Sequence, residues 1–102
     1  MPGFMQVRTQ PTANAGVAFR ATVLVFGASP GDVVTIRLAQ TAGTPPPYSK
    51  TADVTIASDG SGTAVFDDVV LHGPGGEARL RAEAVSSVVP LAAADAHVQV
   101  VP

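Results

Sequence analysis

The stretch that decides the fold of this chain is residues 51–69, TADVTIASDGSGTAVFDDV. Apolar and polar residues alternate on both sides of its centre, which is typical of two β-strands that each bury one face. The centre is rich in Asp, Gly and Ser, and the pair Asp59-Gly60 is a strong signal for a tight chain reversal. The stretch therefore predicts two strands, Thr51–Ala57 and Thr63–Val69, joined as a β-hairpin.

The same period-two alternation recurs in both directions from this stretch. Turn residues separate the alternating runs, and helix signals are nearly absent. One helix-friendly run, Leu91–Ala96, is too short to be a stable helix by itself, and we expect a loop there. One sheet cannot shield seven strands that each have an apolar face, so two sheets must face each other. The other five predicted strands are Met5–Gln10, Val17–Phe26, Val33–Leu38, Ala78–Val85 and Ala96–Val101.

The inward faces of these strands define a predicted core. Phe66 is expected at its centre because it is the largest residue on an inward face of the deciding stretch. The other predicted core residues are Val17, Phe19, Ala21, Val23, Val25, Val34, Ile36, Leu38, Ala52, Val54, Ile56, Ala64, Ala78, Leu80, Ala82, Ala84, Ala96, Val98 and Val100.

The composition agrees with one small folded domain. The chain has 102 residues, which predicts a single domain over 1–102, and 46% of them are hydrophobic, enough to fill one core. Charged residues make up only 14%, which disfavours disorder. A net charge of −2 disfavours a general nucleic-acid binder, which needs basic residues to neutralise phosphates. The absence of Cys excludes disulfides, thiolate chemistry and zinc sites with Cys ligands.

Membrane and export signals are not evident in the sequence. No run approaches about 18 consecutive apolar residues, so no membrane span is expected. The start, Met1–Gln6, lacks the basic and apolar regions of a secretory signal. We therefore expect a protein that acts where it is made, reaches the outside within an assembly, or forms one segment of a longer secreted chain.

Residues at the turns and on the strand faces follow an order that extends over almost the whole chain. They are Gln10-Pro11, Ala15-Gly16-Val17, Phe19, Val23, 58–66, Gly75-Gly76, 78–82, Val98 and Val100. With these residues the chain resembles the bacterial immunoglobulin-like repeats found in surface adhesins and in phage virion proteins. The resemblance implies an all-β, immunoglobulin-like antiparallel β-sandwich of about seven strands in two sheets. It also implies reversals with positive φ at Gly16 and Gly60.

Catalytic and metal-binding sets are not recognisable, so we expect no enzyme activity, no cofactor and no metal. A hydrolase needs a nucleophile, a base and an orienting group, and neither His72 nor His97 lies in such a motif. Asp67 and Asp68 are neighbours in a predicted strand and should point to opposite faces, which makes a poor acid–base pair. The segment 59–62 lacks the six to eight oxygens that calcium requires, so a turn is the preferred interpretation.

The first candidate for partner contact is an apolar surface patch. Leu24 and Phe26 lie on the outward face of their predicted strand, and Val65 is expected on the neighbouring one. Exposed apolar patches in soluble proteins often mark interaction sites. The alternative is that a loop or the N-terminal segment around Phe4 covers these residues, and the sequence does not separate the two.

The second candidate is an outward row of Arg37, Arg79 and Arg81 on strands expected to be neighbours. A solvated face is the ordinary interpretation of such a row. The alternative is contact with an acidic partner or a surface glycan, because Arg pairs well with carboxylates.

The third candidate is the loop Pro45, Pro46, Pro47 and Tyr48, which matches the short proline-tyrosine ligand of WW domains. A stiff loop of polyproline character that touches a neighbouring protein is the broader expectation.

These observations favour a non-enzymatic structural or interaction module. The leading hypothesis is a phage virion surface protein, either a head decoration or a tail-associated domain, that docks on capsid or tail subunits and adheres to host surfaces. The alternative is an immunoglobulin-like repeat of a secreted adhesin or cell-wall protein, which lies at the cell surface and contacts sibling domains. A carbohydrate-binding accessory module is third, but the chain has no Trp and one Tyr for sugar stacking.

Overall fold

The computed structural model describes residues 3–43 and 47–102 of the chain. In these residues the protein is all-β, with nine strands in two sheets, which confirms the predicted class. No helix occurs in these two ranges, and hence none that is long and apolar enough to cross a membrane. The strands are β1 (Gly3–Thr9), β2 (Thr12–Asn14), β3 (Phe19–Phe26), β4 (Val33–Ala42), β5 (Ser49–Thr55), β6 (Gly62–Val69), β7 (Gly76–Ser86), β8 (Leu91–Ala92) and β9 (Ala94–Val101).

The two sheets differ in size and shape. The four-stranded sheet has the order β6-β3-β1-β8, and the five-stranded sheet has the order β2-β9-β7-β4-β5 and is curled like half a barrel. Neighbouring strands are antiparallel, with two exceptions at the edges: β8 runs parallel to β1, and β2 runs parallel to β9. The protein is elongated, with extents of 42, 20 and 20 Å.

The core lies between the sheets and consists of the inward residues of both. Phe66 is only 3% exposed, and the inward residues of β3, β4 and β7 are buried as the alternation predicts. Ala52, Ala84 and Ala96 are only partly buried. Val17 is the clear error, because it is 54% exposed and precedes β3. The Val17 N–H donates to the carbonyl of Asn14 (3.1 Å), so a turn takes the place of the predicted strand start.

The deciding stretch contains the predicted reversal but not the predicted hairpin. The Gly60 N–H donates to the Ala57 carbonyl (3.0 Å), and Gly60 has a φ of +83°. However, β5 pairs with β4, and β6 pairs with β3 in the other sheet. The turn therefore crosses between sheets, because local turn chemistry determines the reversal whereas long-range packing determines which strand each run joins.

The terminal segments differ from the sequence-based expectation on one side of the protein. The chain breaks its first strand at Gln10-Pro11 and passes from β1 in one sheet to β2 in the other. The expected loop after Pro90 is instead β8 followed by β9, again with a change of sheet. Tertiary pairing overrides the weak helix signal there: Leu91 pairs with Gly3, whose N–H donates to the Pro90 carbonyl (3.0 Å).

Candidate interaction surface

The outer face of the four-stranded sheet is built from three cross-strand rows. The first row pairs Phe4 with Phe26. The second places Leu24 between Gln6 and Thr63, and the third places Thr22 between Arg8 and Val65. Because residues two apart on a strand share a face, these side chains lie on one side of the sheet. The predicted adjacency of the strands that carry Leu24, Phe26 and Val65 is thus present in the structure.

The first row consists of two stacked aromatic rings. The ring centroids of Phe4 and Phe26 lie 5.0 Å apart, and the ring planes differ by 28°. Such offset pairs contribute roughly 0.5–1.5 kcal/mol beyond the area that they bury. The N-terminal segment covers part of Phe26 through Phe4, which is one of the two alternatives expected from the sequence, but Phe4 is itself 55% exposed. The apolar surface is therefore shifted onto Phe4 and is not removed.

We refer to Phe4, Leu24, Phe26 and Val65 as the apolar cluster. Leu24 and Phe26 are partly buried, and Val65 is 48% exposed. Val65 and Leu24 are diagonal neighbours on paired strands. The four side chains of the cluster thus lie on one face of the sheet.

Charge is confined to the other end of this face. Arg20 forms an ion pair with Asp67 (2.7 Å), and both side chains are well exposed. Among the Lys and Arg residues in the part of the chain that the structure describes, Arg8 alone forms no ion pair. The face therefore grades from two aromatic rings, through neutral side chains, to one unpaired guanidinium and one ion pair.

The predicted arginine row lies on the outer face of the five-stranded sheet, on the paired strands β4 and β7. Each of its members is matched with a carboxylate. Glu83 lies between Arg37 (3.5 Å) and Arg81 (3.2 Å), and Arg81 also reaches Asp95 (3.3 Å). Arg79 lies 3.8 Å from Glu77, which also contacts the His97 ring at 2.9 Å. This ladder of opposite charges leaves little positive field to attract an acidic partner.

The proline loop is partly outside the described residues, since Pro45 and Pro46 belong to the gap between 43 and 47. Pro47 is exposed. Tyr48 packs partly buried against the core, and its hydroxyl donates to the Asp68 carboxylate (3.2 Å). Burial raises the pKa of the Tyr48 phenol well above its usual value, and the charge of Asp68 raises it further. The tyrosine side chain is therefore held by the domain and is not presented as a free ligand.

A buried amide fixes the backbone at the end of this loop. Gln40 lies at the end of β4, where its own N–H donates to the Tyr48 carbonyl (2.7 Å). Its side-chain oxygen accepts from the Tyr48 N–H (3.2 Å), and its side-chain nitrogen donates to the Ala42 carbonyl (3.2 Å). These bonds satisfy the buried amide and hold the chain as it enters β5.

Asp68 links the two sheets at their open side. Its carboxylate forms an ion pair with Lys50 of β5 and accepts the Tyr48 hydroxyl, and the bond with Lys50 is the main reason that its pKa lies below the usual value. Ala21 pairs with Phe66 but Phe19 pairs with Val69, so β6 carries one extra residue. This bulge exposes both Asp67 and Asp68, where strict alternation would turn one of them inward. The two carboxylates have separate partners, Arg20 and Lys50.

Sequence reasoning missed three exposed valines near the start of β4. Val33, Val85 and Val88 are all more than half exposed. The Val88 N–H donates to the carboxylate of Asp32 (3.0 Å), which brings the segment after β7 beside Val33. Alternation predicts that Val33 lies on the other face of β4 from the buried Val34. The position of Val88, however, depends on this long-range bond and has no local signal in the sequence.

Two further results concern ligands and relatives. In the ranges 3–43 and 47–102, no group of three or more His, Cys, Asp or Glu side chains is placed to hold a metal ion. No protein-family model matches the chain, and no curated protein matches it.

Proposed function

We propose that the chain is an immunoglobulin-like β-sandwich that acts as a non-enzymatic interaction module, docking through its apolar cluster on a repeated protein shell such as a phage head or tail. The strand order supports the immunoglobulin-like assignment. In that fold, the first, second and fifth strands share one sheet, and the third, sixth and seventh share the other. Here β1, β3 and β6 share one sheet, and β4, β7 and β9 share the other. The curl of the larger sheet is a departure from this pattern.

The observation that carries the docking proposal is the exposed Phe4–Phe26 pair with Leu24 and Val65. A sheet that faces water normally carries polar residues on its outer side, as the other sheet does with its charge ladder. The aromatic end of the apolar cluster is flanked by uncharged side chains, so covering that end desolvates little charge, whereas Val65 lies in one row with Arg8 and two residues from Asp67. A virion surface is the location suggested by the resemblance of the sequence, with a cell surface as the alternative.

Co-sedimentation tests this proposal. The purified domain is mixed with undecorated capsids or tails of the phage whose genes flank its reading frame, and the bound fraction is measured. The double variant Phe4→Ser/Phe26→Ser should lose binding. Val17→Ser is the matched control, because Val17 is as exposed as Phe4 but lies away from the cluster. This variant should bind like the wild type. Absence of wild-type binding, or equal binding by the double variant, contradicts docking through the cluster.

A second candidate, a repeat within a longer secreted adhesin or cell-wall protein, is favoured by the path of the chain. The first and last strands run in the same direction, so Gly3 and Val101 lie at opposite ends of the long axis. Such a path lets successive domains follow one another in a line. Sibling repeats in the parent reading frame would support this candidate, and a reading frame flanked by capsid genes would support the first.

A further inference from the structure

We propose that a second docking surface lies on the outer face of the five-stranded sheet, where three exposed valines and two unpaired carboxylates fit a short basic and apolar segment of another protein. The valines are Val33, Val85 and Val88, and we refer to them as the valine patch. The carboxylates belong to Asp32 and Asp53. The valine patch and the apolar cluster lie on different sheets, so this proposal does not depend on docking through the cluster.

The register between β4 and β7 brings two members of the patch together. Thr35 pairs with Ser86, and the next residue of β4 pairs with Ala84, so β7 has one extra residue at this point. The extra residue is Val85, which continues the outward series of β7 that carries the charge ladder and is 56% exposed. Val33 lies two residues before Thr35 and therefore points to the same outer side of the sheet.

The third valine is presented on a fixed backbone. Val88 is 76% exposed, the largest fraction among the large hydrophobic residues that the structure describes. Its N–H donates to the Asp32 carboxylate (3.0 Å). The Ser87 hydroxyl donates to the Val89 carbonyl (2.5 Å), and the Pro90 carbonyl accepts a further backbone bond. Because this backbone is already held, Val88 loses little conformational freedom on binding and suits the role of an anchor.

Unpaired negative charge borders the valine patch. Five of the eight carboxylate side chains form ion pairs with Lys or Arg, whereas Asp32, Asp53 and Asp59 form none with the residues that the structure describes. Asp32 directly precedes Val33 in the chain. Asp53 lies on β5 diagonally across from Val33, which pairs with Thr55. Two of the three unpaired carboxylates therefore flank one valine.

These two carboxylates are held in place but not neutralised. Asp32 accepts the backbone bond described above through one oxygen, and Asp53 accepts the Thr35 hydroxyl (2.7 Å) through one oxygen. Arg37, two residues beyond Thr35 on β4, contacts Glu83 instead (3.5 Å). The patch thus combines apolar side chains with two fixed negative charges. Its electrostatic complement is a segment with a branched apolar side chain between Lys or Arg residues.

Size and charge favour a short segment over a second copy of this chain. The strands β5, β4 and β7 span roughly 10 Å between the outer two, at about 4.8 Å per strand. A surface this narrow suits one extended segment, whereas a whole domain typically buries about 800 Å² on each partner. Two copies that met through their valine patches would bring like charges together. The unpaired Arg8 lies on the other sheet.

Amide chemical shifts measured by NMR on the full chain test the proposal. The probe is a short synthetic peptide of alternating Arg and Val, and the control is the same peptide with Glu in place of Arg. The basic peptide should shift the signals of Val33, Val85 and Val88 saturably, and the acidic peptide should bind at least about tenfold more weakly. Equal binding of both peptides, or shifts centred on the apolar cluster, would overturn the proposal. Concentration-dependent shifts of the same amides without peptide would also overturn it, because a second copy would then be the occupant.

Matched variants separate the contribution of the valines from that of the charge. Val85→Ser/Val88→Ser should abolish binding of the basic peptide, whereas Val17→Ser/Val101→Ser, which removes two exposed valines elsewhere, should leave it unchanged. Asp53→Asn should weaken binding several-fold, since its amide oxygen still accepts a hydrogen bond but the charge is lost. Urea unfolding establishes that all three variants fold. Full binding by the first variant, or equal losses in both double variants, would contradict the assigned surface.

Discussion

The phenol of Tyr48, which directly precedes β5 of the five-stranded sheet, donates a hydrogen bond of 3.2 Å to the carboxylate of Asp68 in β6 of the four-stranded sheet. Lys50 of edge strand β5 forms an ion pair with the same carboxylate. On the opposite side of the domain, the sheets are joined by segments that change sheet, β1 to β2 and β8 to β9. On this side, β5 and β6 are edges of different sheets that the turn around Gly60 joins at one end, and Asp68 adds a side-chain connection near the other end. Charged groups at such edges also discourage pairing with the edge of another molecule.

Titration of Tyr48 should report this link directly. Its pKa is raised in the folded protein, so the neutral phenol stabilises the fold below the usual tyrosine pKa of about 10, and this contribution is lost as the pH rises towards the folded value. The phenol should therefore ionise above the usual pH and together with unfolding. The chain has one Tyr and no Trp, so ultraviolet absorbance follows this group alone.

The variant Asp68→Asn separates the two causes of the shift. It removes the charge but leaves an amide oxygen that can still accept from the phenol, and it leaves the burial, which is the larger cause. The apparent pKa of Tyr48 should move only part of the way back. A wild-type phenol that ionises reversibly near the usual value, while circular dichroism stays native, would contradict the contact.

Acid stability should depend on the same carboxylate. The pKa of Asp68 is lowered mainly by its bond to Lys50, so the ionised form stabilises the fold above the usual aspartate pKa. That stabilisation is lost as the pH falls through the folded value. Urea unfolding measured from neutral pH to about pH 3 should show a steeper loss for the wild type than for Asp68→Asn. Lys50→Gln should also make the free energy of unfolding fall less steeply with decreasing pH. The same acid dependence in the wild type and both variants would argue against the link.

Much of the fold follows from alternation, and the limits of that reasoning have physical causes. Period two assigned Ile36 and Leu80 to the core because neighbouring side chains in a strand must face opposite ways. Alternation does not determine which strands pair, because each strand buries its apolar face equally well beside more than one neighbour. The turn at Gly60 therefore joins two strands that lie in different sheets. The switches of sheet after Pro11 and Pro90 depend on contacts between distant parts of the chain.

The surface was predictable only where it depends on the side of the sheet to which a side chain points. Leu24 and Val65 follow from alternation and strand adjacency. The stack of Phe4 on Phe26 and the pairing of Arg37 with Glu83 require the register between strands, which the sequence does not specify without the turn lengths and bulges. Arginines that look free in sequence are therefore neutralised in the structure.

The two contrasting phenylalanines give a test of the core. Phe66→Ala removes a buried ring and should destabilise the protein by about 3–5 kcal/mol, a large share of the roughly 5–15 kcal/mol typical of a domain. Phe4→Ala removes an exposed ring and should cost less than about 1.5 kcal/mol, mostly from the lost stack. Both are measured by urea unfolding. Similar losses in the two variants would contradict the assigned burial.

The charge ladder predicts weak retention on heparin. With each arginine of the five-stranded face beside a carboxylate, the wild type should elute at low salt. The triple variant Glu77→Gln/Glu83→Gln/Asp95→Asn leaves the arginines without partners and should elute at clearly higher salt. Its stability should change little, because exposed ion pairs contribute about 0–1 kcal/mol each. Strong retention of the wild type would instead indicate that the arginines are free to bind an acidic partner.

Alanine substitutions at two glycines with the same φ test how closely the turn between the two sheets is packed. Gly60 and Gly31 both have a φ of +83°, which side chains rarely adopt, so alanine at either position should destabilise the fold by roughly 1–3 kcal/mol. A Cβ at Gly31 meets no atom within 4 Å, but one at Gly60 lies 2.9 Å from the Ala28 carbonyl oxygen. The Ala28 N–H also donates to the Gly60 carbonyl (3.0 Å), so the two segments cannot separate without losing that bond. Gly60→Ala should therefore lose more unfolding free energy in urea than Gly31→Ala, and an equal loss would mean that the turn does not pack against Ala28.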